Sequence, residues 1–136
     1  MKKISIIGGS GFIGHNLALL LKKEEFDVSI IDNLEINNLG SIEKNENNLP
    51  FPKLSTLILN QRINFLKENK ISLIKIDAKN HKKINETLKE IKPHIIIHLA
   101  AVSHANRSNV DPHKTFENSL VTVSYTHLTL PTTPYV

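Results

Sequence analysis

The sequence contains no cysteine, which excludes a disulfide framework and any thiolate metal site. It also lacks any apolar run approaching the ~20 residues a helix needs to cross a bilayer, so no membrane partner is expected. The chain opens Met-Lys-Lys, but the apolar stretch behind it, Ile4 to Ile7, is too short for a signal peptide. A soluble cytoplasmic protein is the expectation. Arginine is scarce: Arg62 and Arg107 are the only two, so lysine carries most of the positive charge behind the net +4. The lysines are spread along the chain without a long block of one sign, and no cluster of arginines accompanies them. This charge reads as a solvated surface, and no nucleic-acid partner is expected. Internal repeats are absent as well.

What is present suffices for one folded domain. The 136 residues are 40% hydrophobic, enough to build a core. Lys2 to Ile7 reads as a short β-branched strand halted by Gly8-Gly9. Gly11 to Lys23 reads as a helix, with Ile13, Leu17, Leu20 and Leu21 as its apolar face. Val28 to Ile31 is a second strand, ending at Asp32. Asn33 to Pro52 is polar and Asn-rich, punctuated by Gly40, Pro50 and Pro52, and reads as a long loop or insertion. Lys53 to Glu68 reads as a helix with an apolar stripe of Leu54, Leu57, Ile58, Phe65 and Leu66. Ile71 to Ile76 is a third strand, ending at Asp77. His81 to Ile91 is a helix carrying Ile84, Leu88 and Ile91 on one face, and Ile95 to Leu99 is a fourth, nearly continuous apolar strand. Asp111-Pro112 opens a further helix, to about Thr122, with a carboxylate at the cap and proline behind it. Regular alternation of strand and helix predicts β-α-β units with right-handed crossovers.

The last fourteen residues, Val123 to Val136, differ in composition: they contain no Lys, Arg, Asp, Glu or Asn and hold both tyrosines, Tyr125 and Tyr135. Ser124 to Thr133 resembles a translated sequencing adapter. The expected organisation is a domain over 1–122 followed by a non-native tail over 123–136, with a natural edge strand and loop as the alternative for the tail.

The sharpest motif is Gly8-Gly9-Ser10-Gly11-Phe12-Ile13-Gly14. Glycines at 8, 11 and 14 are a spacing variant of the dinucleotide-binding fingerprint. Gly8 lets the chain turn sharply out of the first strand, Gly11 lets backbone approach a pyrophosphate, and Gly14 lets the following helix pack closely on the sheet. The helix N-terminus then offers unpaired N–H groups to phosphate oxygens. Asp32, at the end of the next strand, is placed to accept hydrogen bonds from ribose hydroxyls, and its charge opposes a 2′-phosphate, so NAD is expected over NADP. A turn-forming role for Asp32 stays open.

With these pieces in place the chain resembles the extended short-chain dehydrogenase/reductase family, which includes NAD-dependent nucleotide-sugar epimerases and dehydratases. The resemblance is carried by Gly8-x-x-Gly11-x-x-Gly14, Asp32-Asn33-Leu34, Asp77, His98-Leu99-Ala100-Ala101, and Asp111-Pro112 followed by Asn118. It implies an NAD site lined by Gly8, Ser10, Gly11, Phe12, Ile13, Gly14, Asp32, Asn33, Asp77, Ala78, Leu99, Ala100 and Ala101, with Asp77 and Ala78 beside the adenine. It implies a Rossmann-type α/β fold: a doubly wound parallel sheet, present in part as its first four strands in the order 3-2-1-4. The complete protein is then expected to be a homodimer that oxidises a hydroxyl of a nucleotide sugar transiently. A non-catalytic NAD(P)-binding module and an NADP-dependent reductase are the alternatives.

The family catalyses with Tyr-x-x-x-Lys and a Ser or Thr. Thr129, not lysine, stands four residues after Tyr125, so no residue here receives a catalytic role and the 136 residues are expected to be inactive alone. Asn33 to Lys70 is also longer than the family's usual link. His94 and His98 sit four apart in a strand without a companion acid, so no metal site is assigned. Ser103, His104 and Asp111 read as polar loop residues rather than a hydrolase triad, since no nucleophile elbow surrounds the serine.

Overall fold

The computed structural model describes residues 1–35, 39–43, 51–101 and 113. Four short strands, β1 (Lys3–Ile7), β2 (Asp27–Asp32), β3 (Ser72–Lys75) and β4 (Ile95–His98), form one sheet in the order β3-β2-β1-β4. Every pairing is parallel, with Ile6 opposite Ile30 on one side and Ile97 on the other. Between the strands run α1 (Phe12–Lys23), α2 (Leu39–Glu43), α3 (Pro52–Glu68) and α4 (His81–Ile91). The sheet order and the alternation of elements match the expectation from sequence.

Strand alternation splits the core into two layers. Ile4 and Ile6 of β1 and Val28 and Ile30 of β2 face one way, against Ala18 of α1 and Ile63 and Leu66 of α3. Ile7 and Ile31 face the other way, against Ile84 and Leu88 of α4. Ser5 and Ser29 stand opposite each other in the parallel register, and their hydroxyl oxygens lie 2.8 Å apart. Both serines are buried, and each satisfies the other.

The helix boundaries follow local chemistry. Proline opens α3, where its missing N–H costs nothing. Asn80 caps α4, its side-chain oxygen accepting from the Lys83 N–H, and Lys92 ends the helix in the left-handed conformation. The segment read as a loop from Asn33 to Pro52 contains α2, five residues whose start is pinned by the Gly40 N–H donating to the Leu34 carbonyl.

Two apolar faces differ from the sequence reading. In α1 the buried residues are Gly14 and Ala18, with Leu17 and Leu21 partly buried, whereas Ile13 and Leu20 are exposed. Close approach to the sheet selects small side chains, so the contact face is centred on them rather than on the largest residues. In α3 the buried face is Leu59, Ile63 and Leu66. Leu54, Leu57, Ile58 and Phe65 form a second apolar stripe that stays exposed.

The expected helix from Asp111 to Thr122, with Asn118, lies outside the described residues except for His113. So do Ser103, His104 and the segment 123–136. Among the described residues no helix is long and apolar enough to cross a membrane.

Candidate functional site

The carboxyl ends of the strands converge on the loop between β1 and α1. Gly8 adopts φ +77°, a conformation that disfavours any side chain, as its chain turns out of β1. Its N–H donates to the Ile31 carbonyl, and the Leu99 N–H donates to the Ile7 carbonyl, so the ends of β2 and β4 are tied to that of β1. A Cβ on Gly8 would lie 2.5 Å from the Ala100 nitrogen. The loop and the exit of β4 are thus in direct contact at the point where strand order reverses, and such a reversal opens a crevice at the carboxyl ends of the strands.

The other glycines divide the remaining work. A Cβ on Gly14 would lie 2.5 Å from the Gly9 Cα, so the first turn of α1 packs directly on the loop backbone. Gly9, which the sequence reading took only as part of the halt to β1, is pressed against Ile30: a Cβ there would approach its side chain to 2.9 Å. At Gly11 the situation is the opposite. Among the described residues a Cβ would meet only the Gly8 carbonyl oxygen, at 3.7 Å, so no described atom crowds Gly11.

Gly11 is also the N-cap of α1, and among the described residues no side chain caps this helix. The first N–H groups of a helix have no partner within it. Phe12 and Ile13, the first two residues of the helix, both have exposed side chains. His15 lies one turn on; its Nδ1 donates to the Gly11 carbonyl at 2.9 Å, and its ring meets the edge of Phe12. Because a carbonyl can only accept, this bond makes Nδ1 the protonated nitrogen.

Asp32 binds the loop to the end of β2. Its Oδ2 accepts the Ser10 N–H at 3.0 Å and its Oδ1 accepts the Leu34 N–H at 2.8 Å. The second bond is an Asx-turn, so the turn-forming role left open from sequence is realised. Each carboxylate oxygen retains acceptor capacity for a further donor. Asn33 repeats the pattern, its Oδ1 accepting the Glu35 N–H. Asp77 likewise accepts the Lys79 N–H through Oδ1 and lies 3.9 Å from the Lys79 ammonium. Ala78 and Ala100 pack in the α4-side layer, and Ala101 is exposed at the end of the described segment.

His98, on β4 opposite Ile7, is half-buried; burial lowers its pKa, and a hydrogen bond with the Ala100 backbone partly offsets this. His94 stands at the far end of the same strand, where its Nδ1 accepts the Lys3 N–H. At ~3.3 Å per strand residue, the two histidines cannot share an ion. Arg62 of α3 reaches the glycine loop across 52 residues of sequence, its Nη1 donating to the Ser10 carbonyl at 3.2 Å. That contact had no local signal in the sequence.

A glycine loop between β1 and an uncapped helix, an acid at the end of β2 and reversed strand order beside β1 define a Rossmann-type α/β protein. Within that class the chain belongs to the NAD dependent epimerase/dehydratase family, which matches residues 4–127. It is 28% identical over 115 residues to the probable UDP-arabinose 4-epimerase 3 of Arabidopsis thaliana, an alignment covering 85% of this chain and 24% of that protein. It is 31% identical over 131 residues to the dTDP-D-glucose 4,6-dehydratase of Dictyostelium discoideum, covering 92% of this chain and 25% of that one. The fold is like that of the UDP-glucose 4-epimerase from Brucella ovis solved in complex with NAD, with a TM-score of 0.66 at 20% identity over 91% of this chain and 30% of that chain. The chain therefore spans about a quarter of the length of these curated relatives.

Proposed function

We propose that this chain is the NAD-holding part of a nucleotide-sugar epimerase or dehydratase. The observation that carries the reading is Gly11, uncrowded among the described residues, at a helix N-terminus whose N-cap offers no side chain, in a loop held by the Asp32 carboxylate. The N–H groups of Phe12, Ile13 and Gly14 suit pyrophosphate oxygens, since a helix N-terminus offers both donors and partial positive charge. Asp32, with Asn33 beside it, has the acceptor capacity left for ribose hydroxyls and the charge to oppose a 2′-phosphate. Asp77 and Ala78 border the adenine in this reading, while Leu99, Ala100 and Ala101 line the cofactor from the end of β4. When bound there, NAD would supply a reversible hydride acceptor for a sugar carbon.

The 136 residues hold no Tyr-x-x-x-Lys. In this reading no described residue is given the role of taking the proton from a sugar hydroxyl. General acid–base catalysis contributes typically ~10²–10⁴-fold, so the chain alone is expected to bind cofactor without turning substrate over. The complete protein is proposed to be a cytoplasmic homodimer.

Calorimetry of the 136-residue chain with NAD and with NADP, beside a turnover assay with UDP-glucose and added NAD, tests the reading. Binding of NAD in preference to NADP, without turnover, is the expected result. Equal affinity for the two cofactors would sink the role given to Asp32, and turnover by the chain alone would sink the assignment of catalysis elsewhere.

A further inference from the structure

Arg62 is the one cation that the described structure brings onto the glycine loop. It comes from a fixed element, since Leu59, Ile63 and Leu66 bury the adjoining face of α3. Its Nη1 donates to the carbonyl of Ser10, and the N–H of the same buried residue donates to Asp32. Ser10 thus sits between a cation and an anion that come from elements far apart in sequence.

The guanidinium carries five N–H donors. Among the described residues Arg62 makes this single hydrogen bond and no ion pair. It is nevertheless half-buried, and burial lowers its pKa, so the charge has lost solvation without gaining an acid partner. A partly desolvated guanidinium with donors to spare is suited to phosphate, whose oxygens accept from its planar fork. The carbonyl it holds belongs to the residue directly before Gly11, which no described atom crowds.

Resting on the cofactor reading above, we propose that Arg62 is a phosphate-contacting residue of that site. It fastens the Ser10 carbonyl with one N–H and offers the others to a phosphate oxygen on the adenosine half of the ligand. Two phosphates satisfy this chemistry, the 5′-linked diphosphate and a 2′-phosphate on the ribose. The extra charge from α3 would then add affinity at the first or weaken the discrimination that Asp32 exerts against the second.

The test uses adenosine, ADP and adenosine 2′,5′-bisphosphate as probes, with the 136-residue chain and its Arg62→Met and Arg62→Lys variants. Circular dichroism and the urea midpoint of each variant report on folding. Arg62→Met is expected to lose 10-fold or more in affinity for a phosphate-bearing probe while adenosine affinity changes less than twofold. Arg62→Lys, which keeps the charge, should recover part of the loss. A loss for ADP places the contact at the diphosphate; a loss confined to the bisphosphate places it at the 2′ position. Equal losses for adenosine and ADP, or unchanged binding of all three, would overturn the proposal by reducing Arg62 to a loop clamp. Failure of the unmutated chain to bind NAD or any probe would overturn the cofactor reading itself, and this proposal with it.

Discussion

The Ser10 N–H donates to Asp32 Oδ2 at 3.0 Å, joining the glycine loop to the end of β2 without any ligand. Asp32 therefore has a structural role that precedes cofactor binding. Asp32→Ala removes the acceptor for both the Ser10 and the Leu34 N–H groups. Unpaired, partly buried donors cost about 1–3 kcal/mol, so urea unfolding should show a loss of this order with no NAD present. NAD affinity should fall as well, and Asp32→Asn, which keeps one acceptor oxygen, should lose less stability. A variant as stable as the parent would show that the two bonds contribute nothing.

Glycines of one loop should respond differently to substitution. Gly11→Val meets no crowding among the described residues, so helix content and unfolding midpoint are expected to stay near those of the parent while NAD binding is lost. Gly14→Ala forces a methyl group against the Gly9 backbone at 2.5 Å and should lower stability outright. Circular dichroism melting beside calorimetry separates the two outcomes. Normal NAD binding by Gly11→Val would move the phosphates away from this loop.

The two apolar stripes of α3 provide a further contrast. Leu66→Ala empties a fully buried position and should cost about 2–5 kcal/mol in urea unfolding. Leu57, 64% exposed, should tolerate alanine within about 0.5 kcal/mol. Comparable losses at both positions would mean that the exposed stripe is covered in solution.

Burial lowers the pKa of His98, so the folded protein takes up its proton less readily than the unfolded chain. The unfolded state then binds more protons in the window between the depressed folded value and about 6.5, and stability falls as pH falls through that window. His98→Gln should reduce the loss of urea midpoint between neutral and mildly acidic pH. An unchanged pH dependence in the variant would assign the acid sensitivity to other groups.

Much of the fold was legible because continuous isoleucine-rich runs ending at glycine or aspartate have few alternatives to buried parallel strands. Less legible were the helix faces. In α3 both Leu59-Ile63-Leu66 and Leu54-Ile58-Phe65 follow helical spacing, so periodicity alone does not choose between them; packing on β2 and α1 does. In α1 the bulkiest residues drew the expected face away from Gly14 and Ala18, whose small size is what permits contact. α2 is too short, at five residues, to show a period. Within the site, the glycine spacing and Asp32 were visible as a local pattern. Arg62 was not, since nothing in the sequence near either residue marks a contact 52 positions away.

The buried Ser5–Ser29 pair bears on how the sheet chooses its alignment as it folds. β1 and β2 are otherwise lined by Ile4, Ile6 and Ile7 against Val28, Ile30 and Ile31, side chains that would pack almost as well if one strand slid along the other. A slip of one residue exchanges the faces and is rejected by the helices. A slip of two keeps the faces but sets Ser5 against Asp27 or Ile31 and Ser29 against Lys3 or Ile7. At least one hydroxyl would then face isoleucine with no partner, at about 1–3 kcal/mol. The two serines thus act as a proofreading mark, selecting the single alignment in which the loop after β1 meets the acid that ends β2.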